Sequence, residues 1–206
     1  MLLWAGLILI ASGFICVAFD RRAVHFIYDN VDARFHRFLN ATTHFAKAGH
    51  WLIAAVAVYA ACWGWLRWGG PNPPVKLALN CALAFIIALG AGSALLHATK
   101  LVIGRRRPRD EIEMNLYGFV LFGFDLSMNS FPSGHALTIA CVAVVASALW
   151  PAWAVLWFAV ALWLGLTRAL LTAHFLSDVL VGFGVGLISA RETILLLFPQ
   201  LAQPWF

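Results

Sequence analysis

LALNCALAFIIALGAGSALLHAT, Leu77–Thr99, runs for 23 residues without a charged side chain. A helix rising ~1.5 Å per residue needs about 20 apolar residues to cross the ~30 Å hydrocarbon core of a bilayer. The stretch therefore reads as a membrane-spanning helix. Five further runs share its character, at about Leu2–Phe19, Trp51–Trp68, Pro132–Trp150, Ala152–Leu171 and Phe175–Ala190. Together they predict an all-α, six-span membrane bundle built as one domain over residues 1–206. Strands are not expected, because the runs are far longer than barrel segments of about ten residues.

Composition agrees with this reading. Of 206 residues, 63% are hydrophobic and 11% charged, where a soluble domain carries roughly 25% charged residues. With a mean hydropathy of +0.86, a water-soluble single domain is excluded. The net charge of +5 sits in loops between apolar runs. That placement favours phospholipid head groups or a phosphorylated ligand as partners and argues against nucleic acid. Cys16, Cys62, Cys81 and Cys141 lie inside apolar runs without CxxC spacing, so neither a zinc site nor a disulfide framework is expected. The first run lacks a basic leader and an A-x-A-like end, and reads as a retained helix rather than a signal peptide.

Asp20–His50 mixes Phe26, Ile27, Phe35, Phe38 and Leu39 with Arg21, Arg22, Arg34, Arg37 and Lys47, the pattern of a helix lying on the membrane surface. Gly69–Pro74 and Trp150-Pro151 mark tight turns. Small residues at four-residue spacing, Ala84, Ala88 and Gly92, then Gly182 and Gly186, read as helix-packing stripes. Six spans place the loops after the first, third and fifth on one side of the membrane. Trp4, Trp63, Trp65, Trp68, Trp150, Trp153 and Trp205 then gather at the opposite interface as an aromatic belt.

The costly polar residues fall in three clusters on the side away from that belt. Lys100 is followed after six residues by Arg107-Pro108; Phe131-Pro132-Ser133-Gly134-His135 opens the fourth run; Arg168, His174 and Asp178 bridge the last two. Lys100, Arg107 and Arg168 supply the positive charge that holds a phosphoryl group and neutralises its equatorial oxygens. Pro132 suits the first turn of a helix, where the N–H groups of Ser133 and Gly134 could point at an anion. His174 and Asp178, spaced i,i+4, would share a helix face, the carboxylate holding one ring nitrogen and leaving the other as a nucleophile. His135 on another helix suits a general acid. Taken singly, each cluster has a plainer explanation: the run Arg105-Arg106-Arg107-Arg109 as a head-group anchor, Pro-Ser-Gly as a helix entry, His174 and Asp178 as a structural pair. As an ordered set on one face they describe one reaction.

The set Lys100-x6-Arg107-Pro108, Pro132-Ser133-Gly134-His135 and Arg168-x5-His174-x3-Asp178 resembles the tripartite signature of the type 2 phosphatidic acid phosphatase (PAP2) superfamily, with Thr167 where the third motif usually begins with Ser. The resemblance implies a membrane lipid phosphatase that needs no metal or other cofactor. It implies a phosphohistidine on His174, Asp178 as orienting partner and His135 as acid. Lys100, Arg107, Ser133, Gly134 and Arg168 would be the phosphate ligands. The neighbouring Tyr117-Gly118-Phe119 and Ser130-Phe131 are similar to lipid A, polyprenyl diphosphate and phosphatidylglycerophosphate phosphatases alike, and do not choose among them. The apolar segment Leu116–Phe131 reads either as dipping into the lipid surface, which favours a lipid-borne phosphate, or as packing over the bundle.

Two arguments about sidedness conflict. Only Arg67, Lys76 and Arg191 among the basic residues lie on the terminal side, which puts the motif face in the cytoplasm by positive-inside counting. The resemblance implies a bacterial inner-membrane protein with cytoplasmic termini and a periplasmic site, and this is the expectation adopted. A phosphotransferase would share the phosphoenzyme. An anion transporter fits less well, since the charges cluster at one interface rather than at the midplane. A metal site through His25, His36, His44 and His50 is not expected, because their spacing matches no ligand motif.

Overall fold

The computed structural model describes residues 1–122, 124 and 128–206. The chain forms α1 (Leu2–Cys16), α2 (Asp20–Asn30), α3 (Ala33–Thr43), α4 (Ala48–Trp68), α5 (Pro73–Val102), β1 (Ile103–Arg105), α6 (Pro108–Met114), β2 (Phe119–Leu121), α7 (Gly134–Leu149), α8 (Ala154–Leu170) and α9 (Leu176–Leu197). Each of the six apolar runs is a helix. The local signals are visible at their ends: Asn72 caps α5 through Val75 N–H, with Pro73 in the first turn, and Asp32 caps α3 through Phe35 N–H.

By length and composition four helical segments can cross a membrane: Ala33–Trp68, Pro73–Val102, Pro151–Leu170 and Leu176–Leu197. A fifth is counted if α1 and α2, bent by 84° at their junction, form one span. The remaining run, α7, has 16 residues, or about 24 Å at ~1.5 Å per residue. Every residue from Ala136 to Val145 is buried. Enclosed by α4, α5, α8 and α9, this helix is surrounded by protein and need not match the lipid thickness.

Small residues set the spacing of the bundle, as lipid provides little hydrophobic drive for helices to associate. A Cβ on Gly182 would lie 2.3 Å from the Ser133 carbonyl oxygen, and one on Gly186 would lie 2.5 Å from that of Leu137. Between α1 and α9, a Cβ on Gly184 would meet the Gly6 carbonyl at 2.6 Å. The stripes expected to pack helices do so, and α9 is the hub.

Two expectations are corrected. The Asp20–His50 segment holds two helices, α2 and α3, and the first residues of α4, and Asp20 at the head of α2 is buried rather than facing head groups, because it pairs with Arg105 and Ser177 inside the protein. Strands do occur, outside the apolar runs: β1 and β2 pair antiparallel, Ile103 with Leu121 and Arg105 with Phe119. The segment Leu116–Phe131 divides. Phe131 is buried and Tyr117 packs edge-on against Phe175, whereas Leu121, Phe122 and Phe124 are exposed. Residues 123 and 125–127 of that segment lie outside the described residues.

Candidate active site

The three clusters meet at one end of the bundle, and short stretches of backbone pairing bring them together. Arg105 N–H donates to the Met128 carbonyl at 2.9 Å, and Ser130 N–H donates to the Arg105 carbonyl at 3.1 Å, which lays the end of α5 beside the approach to α7. Ser133 N–H then donates to the Asp178 carbonyl at 2.9 Å, tying that approach to the first turn of α9. Gly182 lies flush against the same Ser133. Gly182→Ala is therefore expected to cost about 1–3 kcal/mol by overpacking, seen as a lower thermal unfolding midpoint in micelles. Gly90→Ala, where a Cβ meets nothing within 4 Å, should show no loss.

His174 is 5% exposed. It precedes α9 rather than lying on it, since Phe175 is the N-cap. Its position comes from two caps. At the end of α8 the N–H groups of Ala173 and His174 both return to the Arg168 carbonyl at 3.1 Å, with Thr172 between at φ +50°, a strained conformation for a β-branched residue. At the start of α9 the Asp178 carboxylate accepts the Phe175 N–H at 2.9 Å. The i,i+4 proximity of His174 and Asp178 is thus a capping geometry and not a shared helix face.

His174 Nδ1 lies 2.8 Å from the Ser130 carbonyl. A carbonyl only accepts, so Nδ1 carries the hydrogen and the neutral ring holds its lone pair at Nε2. Asp178 Oδ2, expected to hold that nitrogen, stands 3.6 Å away and is occupied by Ser130 Oγ at 2.6 Å and by the Phe175 N–H. Burial holds the imidazole below its ordinary value; Asp178 pulls the other way, while Arg168 and Lys100 add to the depression.

Lys100 Nζ donates to the Asn129 carbonyl, and the Arg107 guanidinium grips Asn129 Oδ1 at 3.0 and 2.7 Å through Nε and Nη2. Pro108 and the Asp110 carboxylate, which accepts the Arg107 N–H at 3.2 Å, fix the start of α6 behind it. Arg168 Nη1 reaches Thr43 Oγ1 at 3.2 Å, and the Thr167 hydroxyl meets the same oxygen at 3.0 Å. Arg107, Arg168, His174 and Lys47 lie near enough to His135 to repel a positive charge on it. The N–H of Ser133, expected to face an anion, is taken by Asp178 because Ser133 is the N-cap and stands outside the first turn. The first helical bond of α7 runs from Leu137 N–H to the Ser133 carbonyl, so the N–H groups of Gly134, His135 and Ala136 are the donors left without a partner among the described residues at this helix end. The buried Ser133 hydroxyl has no protein partner among the described residues, and a Cβ on Gly134 would meet open space. A cavity of about 590 Å³ opens beside Arg107, lined also by Arg106, Arg109, Asn129 and Thr172.

The sequence reading missed Asn129 and Arg105. Asn129 joins Lys100 to Arg107 from outside both motifs. Arg105, read as a head-group anchor, is fully buried with its guanidinium beneath the site. Among the described residues no group of three or more His, Cys, Asp or Glu is placed to share a metal ion. His25 instead contacts Glu111 at 3.2 Å, and His50 the His44 carbonyl.

The arrangement offers an imidazole lone pair with the Lys100 and Arg168 charges beside it and Arg107 linked to Lys100 through Asn129, a set suited to receiving a phosphoryl group. The sequence profile of the PAP2 superfamily matches residues 79–201, which contain the whole set from Lys100 to Asp178. Lipid A 1-phosphatases from Rhizobium etli and Rhizobium johnstonii are each 36% identical over 92 residues. Those residues make up 45% of this chain and 40% and 38% of the two relatives, so the match spans less than half the length of these curated proteins. A transmembrane PAP2-type phosphatidylglycerolphosphate phosphatase from Bacillus subtilis superposes with a TM-score of 0.63 over 100% of this chain and 97% of that one, at 20% identity.

Proposed function

The chain belongs to the PAP2 superfamily, and on that premise we propose that it is a membrane lipid phosphatase acting through a phosphohistidine. The observation that carries this reading is the fixed tautomer of His174: Nδ1–H is committed to the Ser130 carbonyl, leaving Nε2 as nucleophile. Nε2 attacks phosphorus and the bond to the lipid oxygen breaks, the leaving oxygen taking a proton from His135, whose charged form the bound phosphoryl anion supports against the neighbouring cations. Water then attacks the phosphohistidine and gives its proton to His135, and the P–N bond breaks to release inorganic phosphate. Lys100, Arg107 and Arg168, with the N–H groups at the start of α7, offset charge on the equatorial oxygens, and Ser133 Oγ is a further phosphate ligand. Asp178 offsets the positive charge that His174 gains as the P–N bond forms.

The substrate is a phosphate monoester or diphosphate borne by a membrane lipid, of the kind named for the Rhizobium and Bacillus relatives. The cavity lined by Arg106, Arg107 and Arg109 receives its polar head group. The six apolar helices all count as spans in this reading, with α7 crossing inside the bundle, the termini cytoplasmic and the site periplasmic. A reporter fused after Phe206 should therefore score as cytoplasmic.

The test is phosphate release by the purified chain in mixed micelles across lipid A, polyprenyl diphosphate, phosphatidylglycerophosphate and phosphatidic acid, with and without an acceptor lipid. Release from at least one supports the reading; no release, or phosphate passed only to the acceptor, contradicts hydrolysis. Because the positive charge is supplied by side chains, activity should survive EDTA; loss restored by added Mg²⁺ or Zn²⁺ would reject the chemistry. The pH profile follows from the buried imidazole. Its value is lowered, so the ring stays neutral further into acid, and the acid limb of kcat/KM should lie below about 6.5. A limb above that value on several substrates would contradict His174 as nucleophile.

A further inference from the structure

Arg105 and Asp20 belong to none of the three motifs, yet with Asp178 they form the most enclosed ionic cluster among the described residues. Arg105 Nη1 donates to Asp178 Oδ1 at 2.5 Å and to Ser177 Oγ at 2.6 Å; Nη2 donates to Asp20 Oδ2 at 2.7 Å and to the Tyr117 hydroxyl at 3.1 Å. The guanidinium is stacked between Phe175 and Phe119, 4.2 and 4.5 Å from the ring centroids. Asp20 also accepts from the Ser177 N–H and hydroxyl. All three charged side chains are fully buried. Burying three charges contributes little net stability compared with an apolar core of the same shape, so the cluster calls for another explanation.

Its place in the site supplies one. Asp178 divides its two oxygens: Oδ1 faces Arg105, while Oδ2 accepts from Ser130 and Phe175 and stands 3.6 Å from His174 Nδ1. One cation is shared by two carboxylates, leaving the cluster with one formal negative charge beside the imidazole. Among the described residues, the other charged or titratable groups facing His174 are Lys100 from α5, Arg168 from α8 and His135 from α7. With Arg105 absent, the carboxylates would draw a proton onto His174 and remove its lone pair. With Asp20 absent, Arg105 would be left wholly to Asp178, and the imidazolium would lose support.

We propose that Arg105 and Asp20 are positioning residues for the phosphoryl transfer: together they set how much of the Asp178 charge His174 feels, so that the ring rests neutral and is stabilised once phosphorylated. This rests on the phosphohistidine reading above, and it is tested by a measurement that does not depend on turnover. The full chain, labelled at histidine and held in detergent micelles, is titrated by NMR, with His174 identified by the signal lost in His174→Gln. Arg105→Gln should raise the midpoint of His174 by about one pH unit, the low end of what a nearby charge does. Asp20→Asn should lower it, and the double variant, which restores one net negative charge, should return toward the unmodified protein. A merely structural role predicts no shift in Asp20→Asn and a double variant more damaged than either single one. If Arg105→Gln does not fold, Asp20→Asn alone decides: a lower midpoint supports the proposal, and an unmoved one overturns it. Absence of phosphate release by the unmodified chain would count against the phosphatase reading, independently of these midpoints.

Discussion

His174→Ala is expected to release no phosphate from any substrate, whatever its leaving group, a loss on the order of a millionfold, as when the nucleophile is deleted from a concerted site. The reason is specific to the geometry. The cations and helix N-terminus would still bind the phosphoryl group, but the imidazole that serves as nucleophile, on a ring locked by the Ser130 carbonyl at 2.8 Å, would be gone. Substrate affinity should therefore persist while turnover disappears. Phosphate release and competitive binding of inorganic vanadate, measured side by side, separate the two. Residual turnover above about one part in a thousand would place the nucleophile elsewhere.

The second large effect is expected at His135, with a different dependence on substrate. His135→Ala removes the proton donor, a contribution of about 10²–10⁴-fold when the leaving group is a lipid alkoxide. Nitrophenolate departs as a stable anion and needs little protonation, so the same variant should be far less impaired on nitrophenyl phosphate. The ratio of kcat/KM for a lipid phosphate and for nitrophenyl phosphate, taken in both proteins, reads this directly. Equal defects on the two substrates would remove His135 from the acid role and leave it as a phosphate-binding group.

The parts of this account that could be read from the chain are those encoded locally. Six apolar runs became six helices, and the ordered spacing of Lys100, Arg107, Ser133, His135, Arg168, His174 and Asp178 marked residues that do converge at one end of the bundle. Helix length was less legible, because hydropathy does not show whether a 16-residue run such as α7 faces lipid or protein. The finer geometry of the site depends on long-range partners. Arg105 and Arg106 are the same residue type side by side. Only the pairing of β1 with β2 and Met128 turns Arg105 toward Asp20 and Asp178, 85 and 73 residues away. Asp20 looked like the polar head of a surface helix for the same reason. Asn129, which holds Lys100 and Arg107, stands 29 and 22 residues from them in a loop with no periodicity to mark it. The nitrogen expected to face Asp178 faces the Ser130 carbonyl because His174 lies before the helix, where capping rather than helical spacing sets distances.

The central claim is that the phosphoryl group passes through His174, and it is tested most directly by trapping the intermediate. Enzyme mixed with radiolabelled lipid phosphate and quenched in alkali within the first turnover should carry label that survives base, is lost in mild acid, and maps to the peptide containing His174. The same label should accumulate in His135→Ala if the second step is slowed more than the first, and it should be absent from His174→Ala. Label that persists in His174→Ala, or that maps to another residue, would contradict the account.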